Sequence, residues 1–237
     1  MAYEKFAYYY DSLMDESFYD DYYTFIKENA KYNSILELAC GTGELAIRFS
    51  KDNKEIYATD ISKDILEVAR IKANHENVNL LLARIDMVDF KIDRPVDLVL
   101  CSCDSINYVL NTKDVTQVFK NAYQSLKYNG HFIFDVNSMH KMNVTLNNYV
   151  EHNEDEDFVF DWKVSSIGIG KVKHEIYIED KIENEKVSET HIQQSYDVDK
   201  YVKLLNKAGF KDIELFSDFG KYKEECQRVI FVCKKGR

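Results

Sequence analysis

The stretch Ser34-Ile35-Leu36-Glu37-Leu38-Ala39-Cys40-Gly41-Thr42-Gly43-Glu44-Leu45-Ala46 decides the fold of this chain. Its apolar first half reads as a short buried strand, its glycines as a tight turn, and Glu44 onward as the first turns of a helix. That succession brings backbone N–H groups close to a ligand. Gly41-x-Gly43-x-x-Ala46 also satisfies the dinucleotide fingerprint G-x-G-x-x-G/A, which taken alone is a weak signal.

The chain has 237 residues, 45% of them hydrophobic, enough for one large α/β domain or such a domain carrying a sizeable insertion. A formal charge of −10 opposes a surface built to track phosphates, so nucleic acid is a disfavoured partner. No run approaches the roughly 18 apolar residues of a membrane span, and Met1-Ala2-Tyr3-Glu4-Lys5 lacks the layout of a signal peptide. The expectation is a soluble, cytoplasmic protein, and nothing in the pattern sets an oligomeric state. Cys40, Cys101, Cys103, Cys226 and Cys233 form no disulfide framework, and Cys101-x-Cys103 without a nearby His predicts no metal site. They read as small core hydrophobes.

Residues 1–30 are rich in aromatics, and Phe18, Tyr22, Phe25 and Ile26 recur at helical spacing, which predicts a helix over about 17–29. Tyr8-Tyr9-Tyr10-Asp11 ahead of it reads either as packing or as a flap over a ligand. Strands are predicted at 55–61, 79–85, 96–103 and 131–136, alternating with helices. Ser62 is expected to cap one helix and Thr112 another, with Asn129-Gly130 stopping the latter. Such alternation implies a parallel sheet covered on both faces, with ligands beyond the carboxyl ends of its strands. Gly41, Asp60, Asp86 and Asp104 all fall at or just past those ends.

From about 138 the period changes to two, with Phe158, Phe160, Trp162 and Val164, then Val172, His174, Ile176 and Ile178. This predicts an antiparallel sheet inserted after the fifth strand, turning at Gly168-Ile169-Gly170 and Glu183-Asn184. A helix opening at Asp197 or Asp199 and strands at 212–217 and 227–233 complete the main sheet. The expected organisation is a main domain of 1–137 and 197–237, Rossmann-like with seven mostly parallel strands, and an inserted β subdomain of 138–196.

A dehydrogenase would explain Gly41, Gly43, Ala46 and Asp60 but leaves Glu37 and Asp86-Met87 without a role. The chain resembles the class I S-adenosylmethionine-dependent methyltransferases. The likeness rests on Glu37 through Gly43, Asp60-Ile61, Asp86-Met87, Leu100 through Ser105, the turn Leu126-Lys127-Tyr128-Asn129-Gly130, and Ala208-Gly209-Phe210. It implies a methyl donor, S-adenosylmethionine, leaving as S-adenosylhomocysteine. Gly41 and Gly43, with Ala39 in place of the family's usual first glycine, would pass the main chain close to it. Glu37 would organise the turn and the donor's ammonium group, and Asp60 would take both ribose hydroxyls. Asp86 would accept from the adenine amine, Ile61 and Met87 would pack on the ring, and the Cys101 carbonyl would face the ammonium group. Asn129 also departs from the family's usual residue at the turn before the fifth strand.

The layout is similar to N-methyltransferases of amino sugars, which implies a small-molecule acceptor, methylated at nitrogen by in-line displacement. Tyr10 and Asp104 are the catalytic candidates, the insertion at 138–196 would form the acceptor site or a lid, and His174, His191, Gln193 and Tyr196 are its polar positions that could face a pocket. An NAD-dependent oxidoreductase and a noncatalytic interaction protein are the alternative readings.

Overall fold

The computed structural model describes residues 16–236. Among them the chain runs α1 (Glu16–Asn29), β1 (Ser34–Leu38), α2 (Glu44–Lys51), β2 (Glu55–Asp60), α3 (Lys63–His75), β3 (Leu81–Arg84) and β4 (Val96–Cys101). A 3-10 turn (Ser105–Tyr108), α4 (Thr112–Ser125) and β5 (Leu126–Asn137) follow. After a π turn (Lys141–Thr145) come β6 (Val150–Glu154), β7 (Phe158–Gly168), β8 (Lys171–Asp180) and β9 (Glu185–Gln194). Helix α5 (Val198–Ala208), β10 (Asp212–Ser217), β11 (Gly220–Lys221) and β12 (Arg228–Lys234) complete it.

The main sheet has the order β11-β10-β12-β5-β4-β1-β2-β3. Strands β1 to β5 are parallel and β12 lies antiparallel between β5 and β10. The two-residue β11 is the one strand beyond the expected seven. Connections turn in opposite directions from β1 and β4, so the crevice beyond those two strands is the switch point where such sheets bind ligands.

Both faces of the sheet are covered, which is why its central strands are apolar at nearly every position. Leu36, Val99, Phe132, Phe134 and Phe231 pack on one side with Phe119, Tyr201 and Phe210. Ile35, Leu98, Leu100, Ile133 and Ile230 pack on the other with Tyr22, Phe25 and Ile26 of α1 and Phe49 of α2. Phe134 and Phe231 stack across β5 and β12 with ring centres 4.7 Å apart.

The inserted segment forms a separate four-stranded antiparallel sheet, β6-β7-β8-β9. Its hairpins turn at the two predicted glycine and Glu-Asn positions. Strand β6 was not legible beforehand, because Val-Glu-His-Asn-Glu is polar and mostly exposed.

Three local expectations are corrected. Asn111, not Thr112, caps α4: Asn111 is extended and its Oδ1 accepts the Asp114 N–H at 3.0 Å. That helix ends at Ser125, and Asn129, in the left-handed region at φ 65°, bends the start of β5. Strand β4 stops at Cys101 because Cys103 and Asp104 both adopt positive φ, 57° and 50°. Ser62 caps α3 as expected, accepting the Ile65 N–H at 3.3 Å. Tyr8, Tyr9, Tyr10 and Asp11 lie outside the described residues.

Gly209 closes α5 at φ +121°, and a Cβ there would sit 2.9 to 3.1 Å from the Tyr123 ring, which packs edge-on against Phe210. Gly209→Ala is expected to lower stability by about 2 kcal/mol, from backbone strain and the overpacked ring together. Urea unfolding checks this: the midpoint should fall with an unchanged slope.

Candidate active site

Strand β1 delivers Glu37 to the switch point fully buried, and its carbonyl accepts the Thr59 Oγ1 hydroxyl at 2.8 Å. Its Oε2 has no hydrogen-bond partner. Burial, with the nearby Asp60 carboxylate second, pushes Glu37 from 4.5 up to about 8. The chain then turns through Ala39 at φ 53°, Gly41 at φ 55° and Gly43 at φ 85°. Ala39 thus adopts the conformation that a glycine takes without steric cost. A Cβ on Gly41 would meet nothing within 4 Å, whereas one on Gly43 would press on Ala69 at 3.3 Å. Gly43 is therefore needed for packing of α2 on α3, and Gly41 leaves bare backbone facing open space.

Asp60 ends β2. Its Oδ2 accepts the Gly41 N–H at 3.2 Å and its Oδ1 the Ser62 N–H at 2.9 Å. Burial raises its pKa above the ordinary aspartate value, and the N–H groups of Ser62, Gly41 and Ile61 pull the other way without cancelling it. Ile61 beside it presents an apolar surface, 55% exposed. Past β3, the exposed Asp86 folds back on its own turn, with Oδ1 accepting the Val88 N–H at 2.8 Å. Asn121 of α4 donates to the Met87 and Val88 carbonyls at 3.2 and 2.9 Å, which fixes this turn. Cys101 is fully buried at the end of β4, and its environment includes Glu37 and Asp60.

Asp104 meets a charge cluster that the sequence reading did not contain. Its Oδ1 accepts Arg228 Nη2 at 3.1 Å and its Oδ2 accepts Gln193 Nε2 at 2.7 Å. Arg228 Nη1 also pairs with Asp135 Oδ2, which takes the Asp104 N–H at 2.9 Å. Burial opposes ionisation of Asp104, but Arg228, with Lys141 and Gln193, outweighs it and holds the carboxyl below its ordinary value. A sequence signal for this cluster did exist: Asp135 interrupts an apolar run, and Arg228 opens another, so each needs a buried partner.

Strand β9 brings the inserted sheet onto this site. Besides Gln193, Asn137 Nδ2 donates to Gln193 Oε1 at 3.0 Å, Asn107 Nδ2 to the Gln194 carbonyl at 2.9 Å, and Ser195 Oγ to the Asn137 carbonyl at 2.6 Å. His174 and His191 are both buried and lie opposite each other in register. Tyr196 is placed differently: its hydroxyl donates to the Leu110 carbonyl at 3.0 Å. The fold therefore gathers Glu37, Asp60, Cys101 and Asp104 at the switch point, sets Asp86 and Met87 beyond the next two strands, and adds Asp135, Arg228 and Gln193.

Known proteins carry the same architecture. The methyltransferase-domain family matches residues 35–130. A relative in Geobacillus sp. (strain WCH70), named "Putative methyltransferase", is 34% identical over 99% of this chain and 100% of its own length. The crystal structure of an S-adenosylmethionine-dependent methyltransferase from Clostridium acetobutylicum superposes with a TM-score of 0.88 at 28% identity, over 100% of both chains. The sugar N-methyltransferase KedS8 from Streptoalloteichus shares the fold, with a TM-score of 0.75 at 20% identity over 97% of this chain and 92% of that one. Among the described residues no helix is long and apolar enough to cross a membrane. A switch-point crevice lined by acids and a bare glycine turn, on a chain related end to end to methyltransferases, makes this protein a member of the S-adenosylmethionine-dependent methyltransferase family.

Proposed function

We propose that residues 1–137 and 197–237 bind S-adenosylmethionine and that 138–196 hold the acceptor, a small molecule methylated at nitrogen. The observation that carries the donor assignment is Glu37: a buried acid with an unpartnered oxygen, beside the Gly41 turn at the switch point. An acid in that setting suits a cation, and the donor carries both a sulfonium and an ammonium group. When bound, the donor would supply an activated methyl carbon to an amine lone pair, with the C–S pair returning to sulfur and the surplus proton passing from nitrogen to solvent.

The chain's residues position and desolvate these partners. Glu37 and the Cys101 carbonyl would hold the ammonium group, and the backbone at Ala39, Gly41 and Gly43 would hold the methionyl and ribose portion. Asp60, already oriented by two backbone N–H groups, takes the ribose hydroxyls. Ile61 and Met87 would pack on the adenine, and Asp86 would accept from its amine. Asp104 has both oxygens engaged, so its role is to position β9 and the acceptor rather than to remove a proton. Nitrogen as the target is supported by the layout shared with a sugar N-methyltransferase. Five free cysteines suit a reducing compartment, the cytoplasm.

Removing the Asp60 carboxylate deletes two charge-assisted hydrogen bonds, about 3 kcal/mol in all. Asp60→Ala is therefore expected to weaken S-adenosylhomocysteine binding about 100-fold in a calorimetric titration. An unchanged affinity would refute the assignment.

Glu37 makes donor binding dependent on pH. In the free protein its carboxyl titrates near 8 against 4.5 for an ordinary glutamate, so at neutral pH it is protonated. Its stabilising contribution to the fold is complete below about 4.5 and is lost as pH rises through 8. An ammonium ligand favours the carboxylate, so donor affinity rises through the same window with release of up to one proton. Titrations at pH 7 in two buffers of different ionisation enthalpy measure that proton, and Glu37→Gln should abolish its release.

A screen with labelled donor against small amines, phenols, RNA and whole-protein extracts tests the acceptor class. Transfer to small amines is expected, and transfer confined to RNA or protein would overturn the reading.

A further inference from the structure

Asn121 stands on α4 in a buried stripe with Val118, Phe119 and Ala122, and is itself 5% exposed. Asparagine is a poor helix former and a buried amide needs partners, so its place there has to be accounted for. Its two N–H groups meet two acceptors, the Val88 carbonyl at 2.9 Å and the Met87 carbonyl at 3.2 Å. Its Oδ1 accepts Nε2 of Gln117, one helical turn earlier, at 2.8 Å. Flipping the amide would set an oxygen against two carbonyls, so these partners fix its orientation.

The two peptides that Asn121 grips are the two that hold Asp86. A trans peptide points its carbonyl and its N–H in opposite directions. With the Met87 carbonyl drawn to α4, the Val88 N–H points away from the helix, where Asp86 Oδ1 accepts it at 2.8 Å. With the Val88 carbonyl drawn the same way, the Asp89 N–H points to the Asp86 carbonyl, at 3.0 Å. That carbonyl faces into the turn, so the Met87 N–H on the same peptide faces out of it. The bonds within the turn therefore spend Oδ1 and leave Asp86 Oδ2 and the Met87 N–H, one acceptor beside one donor.

We propose that Asn121, oriented by Gln117, sets the base selectivity of the donor site. It is a positioning residue: it acts on the donor only through the Asp86–Asp89 turn. An acceptor beside a donor matches adenine, whose amine donates and whose neighbouring ring nitrogen accepts. Hypoxanthine, with an oxygen and a ring N–H at the same two places, meets like against like, and a site built for one pattern rejects the other. The inference rests on the donor reading above, in which this turn meets the adenine.

The test compares calorimetric affinities of the full chain for S-adenosylhomocysteine and S-inosylhomocysteine, which differ only along that edge of the base. The unsubstituted chain should prefer the adenosyl ligand about 100-fold, two hydrogen bonds of about 1.4 kcal/mol each. Asn121→Leu should cut the preference to about tenfold by weakening the adenosyl ligand alone. Gln117→Leu, at an exposed position, should lower it by a smaller factor in the same direction, and Asp86→Ala should lower it at least as far as Asn121→Leu. A merely structural Asn121 would leave the ratio alone: if Asn121→Leu weakens both ligands equally, or neither, while Asp86→Ala lowers the preference, this inference is overturned and the donor reading stands. Should Asn121→Leu fail to fold, Gln117→Leu decides by the same criterion. Equal affinity of the unsubstituted chain for the two ligands, or a preference untouched by Asp86→Ala, overturns the adenine assignment and this inference with it. Binding of neither ligand overturns the donor reading altogether.

Discussion

Arg228 lies buried between two carboxylates, and three separate pieces of chain depend on it. One guanidinium holds Asp135 on β5, Asp104 on the loop after β4, and its own strand β12 in register. Removing Arg228 would strand two carboxylates in the interior, at a cost of about 3–5 kcal/mol. A well-packed apolar trio could match its stability, so the cluster's contribution lies in geometry. It fixes the Cys103–Asp104 corner, with its two positive φ values, at the lip of the crevice.

That fixed lip sets three acids to three different purposes within one crevice. Glu37 is buried without a cation and is pushed up; Asp60 is buried but partly compensated by N–H groups; Asp104 faces Arg228 and is held down. The same functional group, a carboxyl, thus gives a proton-bearing group, an oriented acceptor and an anion paired with Arg228. Local charge differences of this kind, added to a formal charge of −10, make the crevice attractive to a cationic ligand.

Local patterns carried the layers of the fold, because a strand buried on both faces is apolar at every position and a strand buried on one alternates. They also carried the glycine turn, and the two departures there have a conformational reading: Ala39 and Asn129 both occupy left-handed positions where a glycine is at ease. What stayed hidden was nonlocal. Asp135 and Arg228 are 93 positions apart and meet only because β12 inserts antiparallel beside β5. Thr112 looked like a cap because capping residues are interchangeable on paper, and Asn111 took the role by being the one with extended backbone.

The position of the insertion follows from the sheet. Strand β5 leaves the main sheet at Asn137, on the same edge as the end of β4, so anything inserted there starts at the mouth of the crevice. The return at Ser195 is pinned to that exit point by its bond to the Asn137 carbonyl, and Asn107 grips Gln194 from the other side. The inserted sheet therefore hangs from a short polar hinge, while its own core, Phe160, Ile178 and Val187, is made within itself. Substitutions on its strands leave β1, β2 and the Gly41 turn untouched. Gln193 couples the two sheets through its side-chain bonds to Asn137 and Asp104, the latter being the residue whose position Arg228 fixes. Under the proposed assignment, donor and acceptor geometry would be referred to one common point, which is the requirement for an in-line displacement between two separately bound molecules.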